Sequence, residues 1–121
     1  MLKSIFSLIL VVASSLSVAN EVNIYTSRHY DSDDQLYEDF RKETGIKINV
    51  ISGNGSALLE RLKSEGANSP ADIFFTVDAG NLWKIQKEGY FQSISSSKVL
   101  SIVPKNLRGP NNCLLYTSPS P

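Results

Sequence analysis

The sequence predicts an α/β domain in which strands and helices alternate around a mainly parallel sheet. Three short segments with strand character, 21–27, 46–51 and 71–77, are each followed by a segment with helical periodicity. Short strands that alternate with helices of about 10 to 15 residues are typical of βαβ units, whose strands run parallel. Each unit is expected to have a right-handed crossover, which places its helix against a face of the sheet.

The first unit joins the strand over 21–27 to a helix that begins at Asp31. Apolar and polar residues alternate along the strand, as expected when one face packs against a core. Aspartates crowd the first turn of the helix, where the positive pole of the helix dipole stabilises negative charge. The apolar residues at helical spacing are Leu36, Tyr37 and Phe40. Gly45 is suited to end this helix in the left-handed conformation.

The second and third units follow the same plan. The second joins the strand over 46–51 to a helix that Ser56 is expected to cap and Gly66 to end. The third contains a compact apolar run, Ile73-Phe74-Phe75, which predicts a buried strand. Asp78 is expected to cap the helix that follows.

The third helix carries apolar residues at helical spacing and is predicted to end near Gly89. Beyond it, 90–94 predicts a short extended segment, and 95–108 predicts a helical turn followed by a connector. From residue 109 onward the chain has no amphipathic period and ends in alternating serine and proline, which build neither a helix nor a central strand. Residues 109–121 are therefore interpreted either as a disordered terminus or as a tail foreign to the parent protein, and we favour the second reading.

Residues 1–19 have the pattern of a secretory signal peptide. Lys3 supplies the positive charge, an apolar run follows over 5–12, and Ser17-Val18-Ala19 places small residues at a cleavage site. The apolar run falls short of the roughly 20 residues that span a bilayer, so a membrane anchor is disfavoured. The sequence thus predicts export to the periplasm with cleavage after Ala19.

Composition excludes some classes of function. The chain has 12 basic and 12 acidic residues and a formal net charge of zero, whereas a nucleic-acid-binding protein normally carries a basic excess. No nucleic-acid partner is therefore expected. The single cysteine, Cys113, has no intrachain disulfide partner. The chain has one histidine and lacks both a Gly-x-Ser-x-Gly elbow and a zinc-type Cys or His spacing, so we do not expect an enzyme.

Three predicted loops, 27–30, 52–56 and 76–80, follow the carboxyl ends of the strands. Ligands bind beyond these ends in an open parallel sheet, and each loop also precedes the amino terminus of a helix. The glycine-rich second loop is consistent with an anion cradle or, more simply, with a strand-to-helix turn, because it lacks the lysine of a P-loop.

The first loop holds the candidate metal ligands, His29 and Tyr30. Imidazole nitrogen and phenolate oxygen both bind iron, and a hard trivalent cation favours phenolate. A lone histidine is more often a surface or packing residue, and two donors are too few to hold a metal alone. Arg28 is a candidate for balancing a bound anion, and Asp78 is a candidate cleft residue besides being a cap.

Several blocks of the sequence resemble the periplasmic ferric-iron-binding proteins of ABC importers. They are Glu21-Val-Asn-Ile-Tyr-Thr-Ser-Arg-His-Tyr-Asp-Ser-Asp, Phe40-Arg-Lys-Glu-Thr-Gly-Ile-Lys, and Leu59-Glu-Arg-Leu-Lys-Ser-Glu-Gly-Ala-Asn-Ser-Pro-Ala-Asp-Ile-Phe-Phe. The similarity continues to about Arg108, so 20–108 is assigned to the solute-binding domain. The Ser-Pro-Ala-Asp block is shared with binding proteins for other solutes, whereas Arg-His-Tyr points to iron.

The resemblance implies the first-lobe portion of a type 2 periplasmic binding protein, with the second lobe absent from this sequence. It implies capture of ferric iron (Fe3+) in an interlobe cleft, delivery to an inner-membrane ABC permease, and a monomer. His29 and Tyr30 match the ligands that one branch of the family supplies from this lobe. A glutamate ligand found in some relatives is replaced here by Val77, and the family's paired tyrosines lie in a later segment. Weak or no iron binding is therefore expected of this chain alone.

Two alternatives remain open at this point. One is a binding protein of the same fold for an oxyanion or a polyamine, for which Tyr30 would matter little. The other is a secreted α/β enzyme whose active site lies beyond this segment.

Overall fold

The computed structural model describes residues 20–116. The predicted signal peptide, residues 1–19, and the last residues, 117–121, lie outside the described part of the chain. The strands are β1 (Glu21–Thr26), β2 (Lys47–Ser52) and β3 (Ile73–Phe75). The helices are α1 (Asp31–Thr44), α2 (Gly55–Glu65), α3 (Ala79–Lys87) and α4 (Ser97–Ile102). Short 3-10 turns occupy Gly66–Asn68, Lys105–Leu107 and Pro110–Asn112.

The three strands form one parallel sheet in the order β2-β1-β3. Ile24 of β1 pairs with Val50 on one side and with Ile73 on the other. Because all strands run the same way, their carboxyl ends lie at one edge of the sheet. The predicted α/β class and parallel sheet are confirmed.

The main apolar cluster lies between α2 and α3. Leu59, Leu62 and Ile85 are buried there, and Ile85 is completely shielded from solvent. Phe74 of β3 and Phe91 pack against the cluster. Periodicity therefore identified the core-facing side of α2 correctly, as expected when an amphipathic helix covers a sheet face. On α3 it was right for Ile85 but wrong for Trp83, which is 53% exposed.

Most of the residues predicted to begin or end a helix do so in the structure. Gly45 ends α1 at φ 71°, a left-handed conformation that glycine adopts without steric cost. Gly66 is likewise the residue at which α2 ends. The predicted cap of α2 was wrong, because the cap is Asn54 and not Ser56. Asn54 keeps an extended backbone and its side-chain oxygen accepts the N–H of Ser56 at 2.9 Å, so Ser56 already lies within the helix.

Two further expectations differ from the structure. The third strand is not fully buried, since Ile73 is 39% exposed. The physical reason is its place at the edge of the sheet, with β1 on one side only. Residues 90–94 form no strand but a coil, and the N–H of Ile94 donates to the carbonyl of Asn112 rather than to a sheet.

The described part of the predicted tail folds back on the connector. The N–H of Gly109 donates to the carbonyl of Leu114 at 2.9 Å, and Arg108 pairs with Leu115 in an antiparallel bridge. These contacts give residues 109–116 a defined path. That residues 109–121 form a tail foreign to the family stays a prediction. No helix within residues 20–116 is long and apolar enough to cross a membrane.

A polar cluster joins the central strand to the end of α2. The hydroxyl of the fully buried Tyr25 lies 2.8 and 2.7 Å from the two carboxylate oxygens of Glu65. Glu65 also accepts Arg61 Nε at 2.7 Å and Ser69 Oγ at 2.8 Å. Burial, followed by the bond to Glu65, raises the pKa of Tyr25. The bond from Arg61, followed by that from Tyr25, lowers the pKa of Glu65.

Replacing Tyr25 by Phe should lower the free energy of unfolding by about 1.5 to 3 kcal/mol, because a hydrogen bond to a charged group is lost while the ring remains. Thermal unfolding followed by circular dichroism measures this loss. Tyr90→Phe, at a partly exposed position, is the matched control and should change stability little. Equal stability of Tyr25→Phe and the parent chain would contradict a stabilising role for the cluster.

Acid should weaken this cluster. A carboxyl whose pKa is lower in the folded state stabilises the fold at neutral pH, and this stabilisation is lost as pH falls through the lowered pKa of the folded state. The Glu65→Gln variant should be less stable at neutral pH and should lose less stability between pH 6 and about pH 3. Melting temperatures across that range test it, and parallel curves for the two proteins would refute it.

Candidate metal centre

The loop that leaves β1 is anchored before it reaches α1. Thr26 is buried, and its Oγ1 accepts the N–H of Arg28 at 3.0 Å. The N–H of Ser27 donates to the carbonyl of Phe75 at 2.9 Å, which ties the start of the loop to β3. The side chains that follow are therefore presented from a fixed backbone at the carboxyl edge of the sheet.

A recess of about 240 Å³ opens at this edge, between the first loop, the start of α1 and the end of β2. Arg28, His29 and Tyr30 all line it, so the structure brings three of the four predicted site residues together. His29 and Tyr30 are exposed, with 56% of Tyr30 accessible to solvent. Both side chains are therefore accessible from solvent.

Arg28 is held by an acidic partner within the same recess. Its Nε donates to Asp33 Oδ2 at 3.0 Å and its Nη2 donates to Asp33 Oδ1 at 2.9 Å. Asp33 is the buried member of the first turn of α1, at 9% exposure. Sequence reasoning read the aspartates of this turn only as partners of the helix dipole, and the specific pair was missed.

Tyr37 adds a second polar group that the sequence did not reveal. It was interpreted only as part of the apolar side of α1, yet it lines the recess. Its hydroxyl is buried and has no hydrogen-bond partner in the described part of the chain. Burial, followed by the negative charge of Asp33, raises the pKa of Tyr37. Nothing in residue type or spacing distinguished this hydroxyl from an ordinary core tyrosine.

Asp78, the fourth predicted site residue, does not line the recess. It caps α3 as expected, because its Oδ1 accepts the N–H of Gly80 at 2.6 Å and the N–H of Asn81 at 3.1 Å. The glycine-rich loop lies close by. A Cβ on the buried Gly55 would come within 2.7 Å of the side-chain nitrogen of Asn81, so the loop packs tightly against the start of α3.

The two candidate ligands, His29 and Tyr30, are too few to hold a metal ion alone. Residues 20–116 contain no group of three or more His, Cys, Asp or Glu side chains that could hold one. Phenolate and imidazole are nevertheless a suitable pair for iron. His29 and Tyr30 are therefore candidates for part of a coordination shell.

Comparison with known proteins identifies the family. Residues 26–116 match the family model of the bacterial extracellular solute-binding proteins. The chain belongs to this family. It is 48% identical over 100 residues to iron uptake protein A1 of Synechocystis, an alignment that covers 83% of this chain and 28% of that protein. The chain thus spans less than a third of the length of this relative.

Solved structures of family members agree with the fold. A Trichodesmium protein, in complex with iron and citrate, is 55% identical with a TM-score of 0.72, over 78% of this chain and 30% of that one. The ferric binding protein of Campylobacter jejuni is 40% identical with a TM-score of 0.72, over 75% and 29% of the two chains. The predicted first-lobe portion of a type 2 periplasmic binding protein is confirmed.

Replacing Asp78 by Ala should cost about 1 kcal/mol of stability, because two N–H groups at the start of α3 lose their acceptor. Asp78→Asn, which keeps a side-chain oxygen, should recover most of that loss. Chemical denaturation of the two variants beside the parent chain measures the difference. Equal destabilisation by alanine and asparagine would show that the cap is not what Asp78 contributes.

Proposed function

We propose that this chain is part of a periplasmic protein that captures ferric iron and that His29 and Tyr30 supply ligands from its first lobe. The observation that carries the proposal is the exposure of both donors in one recess at the carboxyl edge of the sheet. The names of the relatives, an iron uptake protein and a ferric binding protein, point to the same metal.

The chemistry of the two donors fits ferric iron. An ionised phenol is a hard oxygen donor, and a trivalent cation displaces its proton because the ion dominates the local electrostatics. Imidazole binds as the neutral ring through one nitrogen. The family resemblance implies that Val77 replaces a glutamate ligand of some relatives, so a site rich in tyrosine is the expected completion of the shell.

Transport, rather than catalysis, follows from this reading. A binding protein of this class closes around its ligand, and only contacts that the open form lacks can drive that closure. The closed surface would then be recognised by an inner-membrane ABC permease, with the binding protein acting as a monomer in the periplasm. Residues 1–19 would direct its export and be removed after Ala19.

Replacing Tyr30 by Phe in the complete protein that contains this segment should weaken ferric binding by about 100-fold or more. Changes to outer-shell groups already cost about 10- to 100-fold, and a direct ligand should cost no less. Competition with nitrilotriacetate measures affinity, and the visible phenolate-to-iron absorption band should weaken in parallel. His29→Ala is expected to have a smaller effect. Tyr90→Phe is the matched control.

A complete protein that bound ferric iron with parental affinity after loss of both side chains would overturn the proposal. If the complete, unmutated protein bound an oxyanion or a polyamine but did not bind iron, the alternative ligands would be favoured. The chain of residues 20–116 alone should bind ferric nitrilotriacetate weakly or not at all. Submicromolar one-to-one binding by calorimetry would contradict that expectation.

A further inference from the structure

We propose that Arg28 is a positioning residue, which holds the ring of Tyr30 in the orientation required for binding the metal. The inference rests on the proposed role of Tyr30 and assigns Arg28 a different part from balancing a bound anion. Its basis is a chain of contacts that runs from the first turn of α1 through the guanidinium group to the phenol ring.

The first contact fixes the guanidinium group. Both nitrogen–oxygen distances to Asp33 are close to 3 Å, at 3.0 and 2.9 Å, and the geometry is that of a two-pronged pair. The side chains of Arg28 and Asp33 are only 27% and 12% exposed. A paired arrangement of this kind is more directional than a single hydrogen bond and is little weakened by solvent at such low exposure.

The second contact is between the fixed guanidinium group and the ring of Tyr30, the proposed metal ligand. The guanidinium carbon lies 5.2 Å from the centroid of the Tyr30 ring and 5.8 Å from that of Phe75. Both distances are within the range of cation–π attraction. Because more than half of Tyr30 is exposed, the ring is not enclosed by a packed core. The guanidinium group therefore gives the exposed ring a fixed neighbour.

Asp33 also holds the backbone of Tyr30. Its N–H donates to the carbonyl of Tyr30 at 2.9 Å, while its carboxylate holds Arg28. One residue thus restrains Tyr30 from two directions, through the main chain and through the guanidinium group. The amide of Arg28 is in turn held by Thr26 Oγ1, so the arginine is fixed at both ends.

This arrangement lowers the cost of metal binding. Ordering a free side chain on binding costs conformational entropy, and a ring that is already oriented avoids part of that cost. The charge of Arg28 is already matched by Asp33, which argues for a geometric role and against a free site for an anion. The specific requirement is then the forked shape of arginine, which lysine does not reproduce.

The test compares Arg28→Gln and Arg28→Lys in the complete protein, using ferric nitrilotriacetate as the metal source. Both variants should weaken iron binding by about 10- to 100-fold, as expected for an outer-shell partner of a ligand. The phenolate-to-iron band should shift or lose intensity. Arg41→Gln is the matched control, because Arg41 forms a similar two-pronged pair with Glu38 on the exposed part of α1. It should leave both readouts unchanged.

A double-mutant cycle shows whether Arg28 acts through Tyr30. If it does, Arg28→Gln should have almost no further effect on affinity in the Tyr30→Phe background. Equal losses in both backgrounds would overturn the positioning role. If Arg28→Gln does not fold, judged by its thermal transition, the same cycle is run with Arg28→Lys, which keeps the charge and the aliphatic stem.

Failure of this inference is distinct from failure of the proposed function. An affinity and a visible band that are both unchanged by Tyr30→Phe would refute the proposed ligand. An affinity and a band that weaken in Tyr30→Phe but stay at parental values in Arg28→Gln and Arg28→Lys would refute the role of Arg28 alone.

Discussion

The placement of β1 between two parallel neighbours is the constraint on which the rest of the structure depends. Its pairing with β2 and β3 brings the ends of all three strands to one edge, so that loops distant in sequence meet there. The central strand is also the buried one, with Ile24, Tyr25 and Thr26 almost inaccessible. The loop after Thr26 therefore starts from the least mobile part of the sheet, which suits a site that must hold its geometry.

Much of this fold follows from local patterns in the sequence. Alternation located the first two strands and helical periodicity located the helices, because burial of one face imposes a period on each element. The third strand was located by its compact apolar run. Gly45 and Asp78 were also interpreted correctly. The left-handed end of α1 and the capping of two N–H groups by Asp78 both depend only on residues adjacent in sequence. Asn54 and Ser56 were harder to separate, because either side chain can cap and only the backbone conformation decides between them.

The recess shows where sequence reasoning stops. That residues 28–30 would lie together at the carboxyl edge of the sheet could be predicted from the topology of a parallel sheet. The pairing of Arg28 with Asp33 could not, because it depends on the path of a loop that has no periodicity. The buried hydroxyl of Tyr37 was hidden for a related reason, since helical spacing gives the side of a helix and not the surroundings of one atom.

The double attachment of Asp33 also bears on how this region folds. Helices form through a costly first turn, and any contact that stabilises that turn favours the rest of the helix. Here the first turn of α1 is stapled to the preceding loop by both the amide and the carboxylate of one residue. The start of the helix and the organisation of the recess therefore depend on the same residue, and an insertion between Tyr30 and Asp33 would disrupt both.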